Sequence, residues 1–266
     1  MKYIKILAHR GYLINEEPGN SIPAFQTAVQ HRADGLEFDV HLTADNRLIC
    51  FHDDTLEREL ARSDAIKDLS YKELTSIELS EGITIPSLEE VFDLFGNKVT
   101  LNIELKSQKK GEKELVEMIH QFNLTDDLTK LIVSSFFYTP LKKIKTIDPE
   151  IPTGLLCQSS KNQVQVARKL NCNAIHPYYD IIPSNWVKFH SPRLTTVFHN
   201  FYFHRSIKKA QKLGLFVTPW TVNSEKYLKA AIQRQVDNII TDNVEIALEL
   251  RDQCLYNKND ISPDLF

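Results

Sequence analysis

Four short clusters of chemistry-bearing side chains stand out along the 266 residues: His9-Arg10-Gly11, Glu37-Phe38-Asp39, Phe51-His52-Asp53-Asp54 and Glu104-Leu105-Lys106. A histidine can give or take a proton near neutral pH, and the planar fork of an arginine grips a phosphate. On a β-strand, residues i and i+2 face the same side. Glu37 and Asp39 therefore converge while Phe38 turns into a packing layer, and Glu104 shares a face with Lys106. Crowded carboxylates are costly to bury unless a cation compensates them. An all-oxygen set of Glu37, Asp39 and Glu104 suits one divalent cation, Mg²⁺ or Ca²⁺, with Mn²⁺ also acceptable to such ligands.

Taken singly, each cluster has a bland reading. His9 is as readily structural as catalytic, Glu37 and Asp39 could be a surface acidic pair, and Glu104 with Lys106 could be an ordinary ion pair. One of Asp53 and Asp54 can orient His52, while Asx-turn roles suit either as well. Together they supply a metal site, two proton-transfer groups in His9 and His52, and two phosphate-binding cations in Arg10 and Lys106. That combination is the equipment of a phosphodiesterase.

The elements that must carry these residues alternate. Strands are predicted at 4–8, 35–40, 99–105, 130–134, 153–157, 173–175, 215–219 and 238–241. Helices are predicted near 21–32, 112–121, 140–147, 162–170, 203–213 and 225–233. Eight strands in β–α alternation predict an α/β fold, a (β/α)8 barrel, for which about 250 residues is the usual length. The single catalytic domain is expected to span 1–266, with a small insertion region at 43–98 after the second strand. Within it, Asn46-Arg47 predicts a turn between 40–43 and 48–51, and Ser70 and Ser87 (the latter with Glu90 at the capping-box position) predict capped helix starts. Residues 183–198 fit the alternation least well, because 194–198 is also strand-like and reads as an insertion.

Trp220, in Pro219-Trp220-Thr221-Val222-Asn223, is either core or an aromatic wall of a substrate pocket. Asp242 is expected to cap the following helix. Phe136, Phe137, Tyr138, Tyr178, Tyr179, Phe201, Tyr202 and Phe203 form either an apolar rim or helix packing. A formal charge of −3 and only short lysine runs argue against a nucleic acid or an anionic membrane as partner. The four cysteines form no CxxC pair, which argues against a zinc–thiolate or redox site. No apolar run approaches a membrane span, and the start of the chain lacks a signal-like apolar stretch, so a cytoplasmic enzyme without stable membrane insertion is expected.

The chain resembles the glycerophosphodiester phosphodiesterase family, a TIM-barrel family. The likeness is carried by HRG at 9–11, PGNSIPAF at 18–25, LEFDVHLTADNRLICFHDDTLER at 36–58, IPSLEEVF at 85–92, LNIELK at 101–106, PWTVN at 219–223 and VDNIITDN at 236–243. The resemblance implies His9 and His52 as acid/base pair, Glu37, Asp39 and Glu104 as metal ligands, and Arg10 and Lys106 as phosphate-binding cations. It also implies a small-molecule glycerophosphodiester substrate, cut to sn-glycerol 3-phosphate and an alcohol. His9 is expected as base and His52 as acid, with either water or a glycerol hydroxyl attacking. Gly19 stands where the family usually has glutamate, for which Glu16 or Glu17 could compensate. A lysophospholipid or other phospholipid phosphodiesterase of similar fold is the alternative. A barrel that has lost catalysis is a further one, disfavoured by retention of the whole constellation.

Overall fold

A computed structural model describes residues 2–14, 17–107, 110–158, 162–179, 205 and 207–259. Eight parallel strands form its centre: β1 (Lys5–His9), β2 (Gly35–Leu42), β6 (Thr100–Leu105), β7 (Leu131–Ser135), β8 (Thr153–Cys157), β9 (Ala174–Pro177), β10 (Phe216–Val217) and β11 (Asn238–Thr241). Their order is β10-β9-β8-β7-β6-β2-β1-β11. Asp237 N donates to Val217 O at 2.9 Å and Ile240 N to Pro219 O at 3.0 Å, so backbone bonds also tie the two ends of that order together. The ring is the expected (β/α)8 barrel. Its strands match the expected segments to within a few residues, the largest difference being β10, where only Phe216–Val217 is strand.

Helices α1 (Ile22–Gln30), α4 (Leu88–Phe95), α5 (Glu112–Gln121), α6 (Tyr138–Ile147), α7 (Gln163–Lys169), α8 (Glu225–Gln233) and α9 (Val244–Asn259) complete the barrel. Parallel strands covered on both faces bury every position, as all of β2 and β6 show. Period two then sorts the side chains. Leu36, Phe38, Val40, Leu101, Ile103 and Leu105 join the apolar layer with the helices. The alternate residues Glu37, Asp39, Asn102 and Glu104 take the opposite face.

That opposite face is polar in several places. Asn102 Nδ2 donates to Ser134 Oγ at 3.1 Å, and Asn238 Nδ2 to Thr218 Oγ1 at 3.0 Å. His176 is fully buried with neither ring nitrogen hydrogen-bonded. Its imidazole fills the space above Gly154, where a Cβ would come within 2.5 Å of Nε2. Burial alone pushes its pKa down to about 3.

After β2 the chain doubles back through a turn at Asn46 (φ 58°) into β3 (Leu48–Cys50), antiparallel to β2, as the sequence predicts. Leu48 and Cys50 enter the barrel core. Ile49 and Phe51 face the other way, forming a second cluster with Leu56, Ile66, Leu74 and Ile85. Short helices α2 (Glu57–Leu60) and α3 (Tyr71–Thr75), and the ribbon β4 (Glu78–Ser80) with β5 (Ile83–Thr84), surround that cluster. Ser70 and Glu73 form a reciprocal capping box and Ser87 caps α4, both at the expected positions. Buried residues of α4 pack in the barrel core. The strand-like stretch 194–198, the start of the helix expected at 203–213, and Phe201, Tyr202 and Phe203 lie outside the described residues.

Candidate active site

The C-terminal ends of β1, β2, β6 and β11 and the entry to the insertion bring the predicted residues together. Register places His9 beside Glu37 and Asp39 beside Glu104 on neighbouring strands. One oxygen from each of Glu37, Asp39 and Glu104 lies within 4.8 Å of the others, and all three residues are buried. Lys106 Nζ sits 2.9 Å from Glu104 Oε1 and 3.3 Å from Asp39 Oδ1. Arg10 Nε lies 3.2 Å from Asp39 Oδ2, yet its N–H has no hydrogen-bond partner.

Two cations against three buried acids leave an excess of negative charge, and the titration of the acids reflects it. Burial, reinforced by Asp39 and Glu104, raises the pKa of Glu37 well above the ordinary carboxylate range. Burial and then Asp39 push Glu104 up to about 7. Burial also acts on Asp39, but Lys106, Arg10, His52 and Asn20 outweigh it and hold that carboxyl low. A divalent cation fits this set: the donors are oxygens close enough to share one ion, and a double positive charge offsets the repulsion that raises Glu37 and Glu104.

Each histidine is backed by an aspartate. His9 Nδ1 donates to Asp242 Oδ1 at 2.7 Å, leaving Nε2 at 4.0 Å from Glu37 Oε2. Asp242 is thus a partner of His9 and not the helix cap the sequence predicts. Asn223 holds it there, donating from Nδ2 to Asp242 Oδ2 at 2.5 Å and accepting from Asp242 N at 2.9 Å. His52 Nδ1 donates to Asp53 Oδ1 at 2.5 Å, and Arg58 Nε lies 2.7 Å from Asp53 Oδ2. Asp53, then, is the orienting residue; Asp54 lies at the edge, 93% exposed. Burial, against the pull of Asp39, lowers the pKa of His52.

Three further residues belong to the site. Asn20 is buried with φ 59°, donates from Nδ2 to Asp39 Oδ2 at 2.9 Å and accepts from Asp39 N at 3.1 Å. Asn223 is the second. The third, His41, continues the Glu37–Asp39 face by one more strand period and donates from Nε2 to His52 O at 3.2 Å; the alternation that located the acids also points to it. Burial lowers its pKa. Gly11 allows the chain to leave β1: at φ 96° it presses on Ala24, which a Cβ would approach within 2.6 Å. Gly19 abuts Arg10, whose Cβ lies 3.2 Å from where a side chain would start. Glu16 lies outside the described residues.

Trp220 is partly buried in the segment after β10, bridged to Tyr178. Its Nε1 donates to His176 O at 2.8 Å, and its ring meets Phe136 at 5.4 Å and Tyr178 at 5.2 Å. Tyr178 packs on Tyr179, and Tyr179 on Tyr227. Phe136, Tyr178, Tyr179 and Trp220 of the expected aromatic set thus pack on one another, with Tyr227 of α8 beside them. No helix among the described residues is long and apolar enough to cross a membrane.

The model of the glycerophosphoryl diester phosphodiesterase family matches residues 9–246. A glycerophosphodiester phosphodiesterase of Caldanaerobacter subterraneus subsp. tengcongensis is 31% identical over 259 residues, covering 92% of this chain and 96% of that protein. The crystal structure of a glycerophosphodiester phosphodiesterase from Thermotoga maritima superposes with a TM-score of 0.74 at 26% identity, over 94% of this chain and 100% of that one. An Oleispira antarctica phosphodiesterase in complex with the product sn-glycerol-3-phosphate shares the fold, with a TM-score of 0.74 at 22% identity over 93% of this chain and 96% of that one. A family match running from His9 to beyond the last strand, and a relative 31% identical along nearly the whole of both chains, make this chain a member of the glycerophosphoryl diester phosphodiesterase family.

Proposed function

We propose that the chain hydrolyses glycerophosphodiesters to sn-glycerol 3-phosphate and an alcohol, with His9 and His52 as the proton-transfer pair and 1–266 acting as one catalytic barrel carrying the 43–98 insertion. The observation that carries this is the convergence of Glu37, Asp39 and Glu104 with Arg10 and Lys106 between those two histidines. One divalent cation (Mg²⁺, Ca²⁺ or Mn²⁺) held by the three acids would supply Lewis-acid polarisation of the phosphoryl oxygens.

The chain's own residues do the rest. The partnerless Arg10 N–H and the Lys106 ammonium share the charge that builds on phosphate oxygens in the transition state. Asp242 and Asp53 fix the two imidazoles so that each presents Nε2. His9 takes the proton from the attacking oxygen, and His52 gives one to the leaving alkoxide. Burial holds His52 below its ordinary range, so it yields its proton readily, and a bound phosphodiester anion favours its charged form beforehand. The relatives' names and the product-bound Oleispira phosphodiesterase support the substrate class.

The test is a panel of glycerophosphocholine, glycerophosphoethanolamine and a lysophospholipid with Mg²⁺, Ca²⁺, Mn²⁺ or EDTA. Turnover of the two small diesters, abolished by EDTA, is expected. Preference for the lysophospholipid overturns the substrate reading, and EDTA-resistant turnover overturns the metal reading.

A further inference from the structure

A cleft of about 700 Å³ opens from Lys106 along the seam between the insertion and the barrel. Its walls come from both parts: Thr43 directly after β2, Asp54 and Lys67 from the insertion, and Lys110 and Phe137 from loops after β6 and β7. Among the described residues that line it, Lys67 and Lys110 stand against one acid, Asp54, a positive balance even with Lys106 set aside. Lys106 is committed to Asp39 and Glu104. Lys67 and Lys110 form no ion pair among the described residues, so their charge is available to a ligand.

Both lysines are placed by fixed backbone. Lys67 follows Ile66, which is 1% exposed in the insertion core, within the 3₁₀ turn Ile66–Asp68. Lys110 N donates to Ser107 Oγ at 3.2 Å, and Gly111, at φ 97°, turns the chain into α5 immediately afterwards. The cleft begins at the phosphate-binding lysine on the side where His41 supports His52.

We propose that this cleft receives the alcohol half of the diester and selects an alcohol that itself carries an anionic group, a phosphate above all, through Lys67 and Lys110. The proposal rests on the glycerophosphodiesterase reading and names the substrate class within it. An anion enters a cleft of surplus positive charge with a gain in encounter and residence, while a quaternary ammonium is repelled by it. The alcohol's oxygen then leaves toward His52, and the glycerol half lies toward His9 and Trp220.

The experiment compares kcat/KM for glycerophosphocholine, glycerophosphoglycerol and glycerophosphoglycerol phosphorylated on its far hydroxyl. Wild type is expected to rank them phosphorylated, neutral, cationic, with the difference in KM. The double variant K67E/K110E lowers kcat/KM for the phosphorylated substrate by about tenfold, raises it for the choline ester, and so reverses the order. K142E, on the exposed side of α6, changes neither. Equal losses on all three substrates, or a wild-type preference for choline, overturn the proposal. Glycerol 1,3-bisphosphate, which has no diester bond to cut, is titrated calorimetrically in parallel. Equal affinity for wild type and K67E/K110E overturns the proposal, whereas tighter wild-type binding without turnover of any diester upholds the cleft and removes only the catalytic reading.

Discussion

His9 and His52 each set Nδ1 against an aspartate, at 2.7 Å and 2.5 Å, but different parts of the molecule hold the two aspartates. Asp242 comes from the far end of β11, 233 residues away, and is fixed by Asn223 from the loop after β10. Asp53 is the immediate neighbour of its histidine, and its second oxygen meets Arg58 on α2 of the insertion. The first arrangement depends on barrel closure. The second depends on a six-residue apolar cluster separate from the barrel core. Two separate supports for the two imidazoles mean that either half can be damaged while the other stays intact.

The strongest way to test that division is to remove the imidazoles. His9→Ala and His52→Ala are each expected to lower kcat by about 10²–10⁴. With a p-nitrophenyl leaving group, which needs no proton, the His52→Ala loss shrinks while the His9→Ala loss persists; the opposite pattern exchanges their roles. Next, Leu56→Ala opens a cavity in the insertion cluster and costs about 2–5 kcal/mol. Urea titration should show kcat lost and the insertion cut by protease before the barrel unfolds, and a single coincident transition would break the comparison. Asp242→Asn is then expected to cost about 10–100-fold in kcat. Asp53→Asn costs less, because the His41 bond to His52 O still anchors that peptide. Steady-state rates for the pair decide it.

The smallest effect concerns the barrel alone. His176 stays neutral in the folded state down to about pH 3, whereas the unfolded chain takes up its proton near pH 6.5. The contribution of His176 is therefore nil above that value and costs about 1.4 kcal/mol per pH unit on acidification below it, against the raised pKa values of Glu37 and Glu104, which act in the opposite direction. Urea midpoints at pH 7 and pH 5 measure the slope. His176→Leu removes its contribution, so the wild-type slope minus the variant's isolates it from the shares of His41 and His52, which burial also lowers, and of the raised Glu37 and Glu104.

The parts of the site legible in the sequence are those whose placement is local. Period two put Glu37 with Asp39 and Glu104 with Lys106, because a strand alternates whatever surrounds it, and the pairing of β2 with β6 brought the two sets together. The same rule reaches His41. Asn20 was hidden because its approach to Asp39 depends on a left-handed turn at φ 59° that residue type alone does not announce. Asp242 read as a cap because its true partner lies at the other end of the chain. Which loop residues would reach into the cleft was equally illegible, since it depends on how the insertion leans on the barrel.

The bond from His9 to Asp242 also orders events in time. A ribosome releases His9 233 residues before Asp242, which emerges after every strand of the barrel. Until β11 slots in beside β1, His9 has no aspartate to choose its tautomer, and a chain stopped short of Asp242 holds Glu37, Asp39, Glu104 and His52 without that support for His9. The complete arrangement around His9 is thereby reserved for chains whose barrel has closed.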